Sequence, residues 1–322
     1  MHKELPFIPF PILKSSHAQT FLGSLMHLGV DPQSVTRYIS MSDGDEIAVE
    51  ISTPAGWNPQ GGLTVLLVHG LCGSHRSTYL VRMTKRLLKR GVRCIRYNMR
   101  GCGSGFGRAK YICNVSRSED FLKVFYTLAL DTPYSPFVVV GYSLGGNLVL
   151  RSAGVIGKEA KGLIRGIVSI SPPVDLFCSA KLLTRSKNTF YHKYFLQILK
   201  ARIRQRDRLY PNFPRVVFPK NMNVIDFDSI CTAPEGGFTD ALDYYAKCSS
   251  KPLIENIGVD TKILFAEDDP IINAYQLDGM LLPDHIEIYK TKHGGHLGHL
   301  SRRKNGGFHW MDQMIEQWIL ER

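Results

Sequence analysis

Short apolar runs recur along this chain with helical patterns between them. Residues 63–68, 93–97, 137–140, 166–170, 262–266 and 286–289 read as strands. Between them, 78–90 and 119–129 carry apolar residues at helical spacing, with Leu80, Met83, Leu87 and Leu88 on one face of the first and Gly91 as its stop. Strands that are apolar throughout, not alternately, belong in a parallel sheet covered on both faces. The alternation with helices predicts an α/β architecture of that kind. Two earlier runs, 35–39 and 47–52, flank a turn at Ser42-Asp43-Gly44-Asp45, and 308–320 closes the chain as a helix.

The alternation stops between Ile170 and Lys262. Roughly ninety residues are too many for an ordinary connection. Tyr191, Tyr194, Phe195, Ile198, Leu199 and Ile203 fall at helical spacing there. The expected organisation is therefore a core built from 1–175 and 259–322, with 176–258 inserted as a cap or lid.

One strand end carries chemistry. Gly141-Tyr142-Ser143-Leu144-Gly145 follows the apolar run 137–140 and opens a helix that reaches to about Ala153. A serine on such a strand–turn–helix corner projects its hydroxyl above the sheet, with glycines where side chains would collide. Serine needs a base to take its proton and an acid to hold that base. In the order serine, acid, histidine, Asp269 follows the strand 262–266, and His296 follows the last strand. Asp268 is the alternative acid and Asp175 a lesser one; His293 and His299 are the alternative bases. Backbone N–H groups of Leu144 and of Leu71, in the loop His69-Gly70-Leu71-Cys72-Gly73, are the expected donors to an oxyanion. His69 is expected to shape that loop. His293, His296 and His299 also have the spacing of a metal motif, but on a glycine-rich loop and without completing ligands, so no metal or other cofactor is expected.

The remaining composition narrows the setting. Seven scattered cysteines with no C-x-x-C predict neither disulfides nor zinc and favour a reducing, cytoplasmic compartment. The N-terminal segment is broken by three prolines and is a poor signal peptide. No apolar stretch is long enough to span a membrane. The net charge is +12, but no nucleic-acid-reading motif frames the basic residues, so solvated faces are expected and no nucleic acid. Arg202, Arg204, Arg206 and Arg208 are the candidates for peripheral contact with anionic lipid, and Arg302, Arg303 and Lys304 form another short basic run. The sequence sets no oligomeric state.

Several further motifs carry a resemblance. They are His17-Ala18-Gln19-Thr20, Asp43-Gly44-Asp45, His69-Gly70-Leu71 with Gly73-Ser74, Asn98-Met99-Arg100-Gly101-Cys102, Gly237-Phe238-Thr239-Asp240 running to Tyr244-Tyr245, the acid loop Ala266 to Pro270, and His293-Gly294-Gly295-His296-Leu297-Gly298. Over nearly its whole length the chain resembles the YheT-like branch of the α/β-hydrolases. The resemblance implies the α/β-hydrolase fold, a Ser–Asp–His carboxylester hydrolase of the esterase or lipase kind, and His296 as base. Small-molecule or lipid esters are the implied substrates. Some members pass the acyl group to an alcohol, and that alternative stays open, as does a non-catalytic protein that keeps the fold. One departure is Tyr111-Ile112-Cys113-Asn114, where the family has Y-x-S-G and Asp120 is displaced downstream; it bears on the pocket rim.

Overall fold

The computed structural model describes residues 2–25, 30–302 and 308–321. Arg303 and Lys304 of the last basic run lie outside them. Nine strands form one sheet among the described residues: β1 (Lys3–Glu4), β2 (Val35–Ser40), β3 (Glu46–Ser52), β4 (Thr64–Val68), β5 (Arg93–Tyr97), β6 (Phe137–Tyr142), β7 (Ile164–Ile170), β8 (Thr261–Ala266) and β9 (Ile286–Thr291). Their order is β1-β9-β8-β7-β6-β4-β5-β3-β2. The sheet is parallel except where β3 pairs antiparallel with β2 and β5. The α/β-hydrolase fold expected from the motifs is the fold observed.

The order matters for function. From β4 the chain steps to β5 on one side, then crosses to β6 on the other. Strand order therefore reverses between β4 and β6. A crevice opens outside the carboxyl ends of strands at such a switch point. The two predicted chemical loops, after β4 and after β6, both lie there.

Residues of β4 and β6 alternate between two cores. Val65, Leu67, Val138 and Val140 pack with Leu80, Met83 and Leu87 of α2 (Thr78–Leu88) and with Met311, Ile315 and Ile319 of the closing helix Trp310–Leu320. Leu66, Val68 and Val139 pack with Phe121, Val124 and Phe125 of α3 (Ser118–Asp131) and with Leu148 and Val149 of α4 (Leu144–Ile156). Being buried on both sides, β4 and β6 have no polar face to alternate with, which is why they read as unbroken apolar runs.

Two N-terminal elements carried no clear pattern. Edge strand β1 is two exposed residues long. The helix α1 (Ser16–Leu25) buries only Gln19, Thr20 and Gly23. A polar-faced helix of that kind leaves no apolar stripe to read. Between β7 and β8 the chain leaves the sheet and runs through helices, including Leu176–Leu183, Thr189–Leu209 and Ala241–Cys248. No helix among the described residues is long and apolar enough to cross a membrane.

The closing helix is tied to α2 by a buried ion pair. Arg82 Nε donates to Asp312 Oδ2 at 2.7 Å, with both side chains under a tenth exposed. Asp312→Ala leaves the guanidinium buried and unpaired, and is expected to cost about 3–5 kcal/mol. The urea-unfolding midpoint measures it. The double replacement Arg82→Met with Asp312→Leu is expected to recover most of that loss.

Candidate active site

Ser143 is the pivot of the crevice. It sits between β6 and α4 with φ 51°, a left-handed conformation that a side chain adopts only under constraint. Its neighbours explain how that is held. A Cβ on Gly145 would come within 2.3 Å of the His69 carbonyl, and one on Gly141 within 2.6 Å of the Gly145 carbonyl. Only glycines let β6, α4 and the loop after β4 approach this closely.

The predicted partners converge on this corner. Ser143 Oγ lies 2.9 Å from His296 Nε2, and His296 Nδ1 lies 2.8 Å from Asp269 Oδ2. The other oxygen of Asp269 accepts from the N–H groups of Ile271 and Ile272 at 2.8 and 2.9 Å. Its carboxylate is thus aimed from three donors, and its side chain is 1 % exposed. Asp268 faces elsewhere: it accepts from Gly295 N at 2.8 Å and lies 3.5 Å from the His293 ring. Asp175 caps the helix Leu176–Leu183 by accepting from Cys178 N.

The three histidines of the loop do not share a centre. His293 is half-exposed beside Asp268. His299 is buried, hydrogen-bonds Thr291 Oγ1 through Nε2 at 3.0 Å and stacks on Trp310. Among the described residues no group of three or more His, Cys, Asp or Glu side chains could hold a metal ion.

Leu71 and Leu144 border the same space as Ser143. Leu144 is the first residue of α4, where helix N–H groups have no partner within the helix. The Leu71 loop is braced from three directions. Gly70 N donates to the Tyr79 hydroxyl at 2.9 Å. Met99 N donates to His69 Nε2, which puts the His69 proton on Nδ1, 2.8 Å from the Gly70 carbonyl. Arg202, from the helix Thr189–Leu209, donates to the Gly73 carbonyl at 3.2 Å and to Cys102 Sγ at 3.1 Å. Cys72, on this loop, is no competing nucleophile: burial pushes its thiol up to about 12.

Several of these supports escaped the sequence reading. Thr20 Oγ1 accepts from His296 N at 2.9 Å, so the N-terminal helix fixes the loop that carries the ring. Gln19 clamps Leu300 through both ends of its amide. The His-x-Gln-Thr motif was the available signal. Arg100 holds Asp43 and Asp45 from the β2–β3 turn and, through two hydrogen bonds, Asp120 at the start of α3. The displaced Asp120 is thus a buried ion-pair partner. Of the four cap arginines, Arg202 and Arg206 point inward, Arg206 onto Glu235, while Arg204 and Arg208 are exposed.

Two cavities meet at Ser143. The larger, about 360 Å³, is lined by Phe21, Phe190, Tyr191, Tyr194 and Phe195. The smaller, about 110 Å³, lies on the Leu144 side. Tyr210, Phe213 and Phe218 pack elsewhere: on Gly107, on Tyr111 and on Phe227.

Residues 64–302 match the model of the alpha/beta hydrolase fold family. The chain belongs to that family. Alpha/beta hydrolases similar to it include YheT of Escherichia coli K12, named as a candidate esterase, at 29% identity over 97% of this chain and 92% of that protein. The monoacylglycerol lipase of Saccharomyces cerevisiae is 26% identical over 79% of this chain and 58% of its own length. The phospholipase ABHD3 of Mus musculus is 25% identical over 80% and 63%. Relatives named as esterases and lipases support hydrolase activity on esters. Among solved structures, 2,6-dihydroxy-pseudo-oxynicotine hydrolase aligns with a TM-score of 0.59 at 18% identity, over 95% of this chain and 71% of that one. Est1E from Butyrivibrio proteoclasticus aligns at 0.56 and 14%, over 88% and 98%. At these identities the likeness concerns the fold.

The loop's third histidine gives a pH prediction. Burial holds His299 down at about 4, so it stays neutral in the fold. In the unfolded chain it protonates near 6.5. Protons then favour unfolding, and stability falls as pH drops from about 6.5 toward 4. By pH 5 the loss from this residue is expected to be on the order of 2 kcal/mol. Thermal melts at pH 7 and pH 5 measure it, and His299→Asn is expected to flatten the difference.

Proposed function

We propose that this protein is a serine carboxylester hydrolase that works through an acyl-enzyme. The observation that carries the reading is the unbroken hydrogen-bonded chain from Ser143 Oγ through His296 to Asp269, at 2.9 and 2.8 Å. His296 Nε2 takes the Ser143 proton as Oγ attacks the ester carbonyl. Asp269 holds the ring and stabilises its charged form. The Leu71 and Leu144 N–H groups receive the charge that develops on the carbonyl oxygen. His296 then protonates the departing alcohol. Water, activated by the same ring, releases the acid and restores Ser143.

The substrate reading is an ester with a hydrophobic acyl chain. The aromatic lining of the larger cavity supports it, as do relatives named monoacylglycerol lipase and phospholipase. Residues 176–258 act in this reading as the cap over the site. The odd, scattered cysteine set supports a cytoplasmic setting.

Ser143→Ala is expected to lower hydrolysis of p-nitrophenyl octanoate by at least ~10⁴-fold with the melting temperature unchanged. Asp269→Asn is expected to lower kcat by about 10⁴-fold through misorientation of the ring. A fluorophosphonate probe should label the wild type at Ser143 and spare Ser143→Ala. Failure to label the wild type, with turnover unchanged in Ser143→Ala, overturns the mechanism; no turnover and no labelling at all leaves the non-catalytic alternative.

A further inference from the structure

The smaller cavity at Ser143 ends in a carboxylate that ester hydrolysis does not use. After a short α turn, Val224–Phe227, the chain passes through a π-helical turn, Asp228–Thr232. Such turns are rare and recur at functional sites. This one puts Asp228 on the cavity wall together with Thr232, Tyr244 and Tyr245. The Tyr245 hydroxyl donates to Asp228 Oδ2 and the Thr232 hydroxyl to Oδ1, both at 2.6 Å.

The surroundings make this carboxylate unusual. The rest of the wall is mainly apolar, including Leu144, Leu176, Leu183, Phe195 and Ile271. Among the described residues no lysine or arginine lines the cavity, and its one histidine is His296. Asp228 is deep in the protein, yet part of its surface remains accessible. Burial raises its acid to about 6, which still leaves it charged at neutral pH. Two hydroxyl donors occupy about half of the acceptor sites of an ionised carboxylate. An apolar group filling the cavity would therefore lie against a desolvated charge with open acceptor sites, which is unfavourable. A group ending in a hydrogen-bond donor would meet that need.

The size limits what fits. At about 110 Å³ it is the smaller space and suits the shorter part of an ester, whereas the aromatic-lined cavity on the other side of Ser143 has about 360 Å³. We propose that the smaller cavity binds the alcohol portion of the ester, and that Asp228 selects short alcohols whose far end carries a second hydrogen-bond donor, a hydroxyl or a protonated amine. The acyl chain then lies in the larger cavity. This assignment rests on the reading of Ser143 as the nucleophile and adds the class of alcohol.

The test keeps the acyl group constant. The full chain is assayed at pH 7.5 on 3-hydroxypropyl, 3-(dimethylammonio)propyl and butyl octanoate, with p-nitrophenyl octanoate as the reference. The wild type is expected to favour at least one donor-bearing ester over the butyl ester by about 10-fold in kcat/KM. Which of the two is favoured identifies the donor as hydroxyl or ammonium. In Asp228→Asn that preference should fall to within about two-fold, through loss on the donor-bearing esters and not on butyl octanoate. Equal turnover of all three esters by the wild type overturns the proposal, and that comparison needs no variant. Parallel loss of all four substrates in a folded Asp228→Asn also overturns it, because a purely structural Asp228 behaves that way. If Ser143 is not the nucleophile, p-nitrophenyl octanoate hydrolysis survives Ser143→Ala, which separates failure of the mechanism from failure of the subsite.

Discussion

The left-handed backbone at Ser143 is the constraint on which the rest of the site depends. A serine with φ 51° costs on the order of 1–3 kcal/mol. It persists because β6 and α4, both packed in the core, leave the corner no other path. Gly145 lies against the His69 carbonyl, so the same close approach that bends the chain at Ser143 also brings the Leu71 loop beside it. The Ser143 hydroxyl and the proposed oxyanion donors are thus set by one piece of packing. The reversal of strand order between β4 and β6 provides the gap in which both stand.

The proposed general base is positioned differently, by contacts from distant parts of the chain. The glycine-rich loop 293–298 has little structure of its own. Thr20 holds the His296 backbone, Asp268 holds Gly295, and Asp269 holds the ring. The adjacent acids divide the work: one fixes the loop and the other the imidazole. Asp269 is itself held by the Ile271 and Ile272 N–H groups, so its direction follows from the turn after β8.

What the sequence made legible follows from these two kinds of support. The central strands announce themselves because burial on both faces demands unbroken apolar runs. The corner at Ser143 announces itself because close approach demands glycine. Asp268 and Asp269 could be ranked but not separated by pattern, since the difference lies in which N–H groups each accepts. Thr20, Gln19, Tyr79 and Arg202 act through single hydrogen bonds to loops far away in sequence, and no periodicity records such contacts. Thr20 and Gln19 had a motif but no visible task. Asp228 was hidden for another reason: its environment is created by a π turn inside a segment without a readable repeat.

The bond between Thr20 and His296 spans 276 residues. Closing so large a loop is entropically costly. A chain still being synthesised can complete β4, β6 and the serine corner while His296 has yet to emerge. In the proposed mechanism the nascent protein then carries its nucleophile without a base, and ester-cleaving power arrives only when the Thr20 and His296 segments meet.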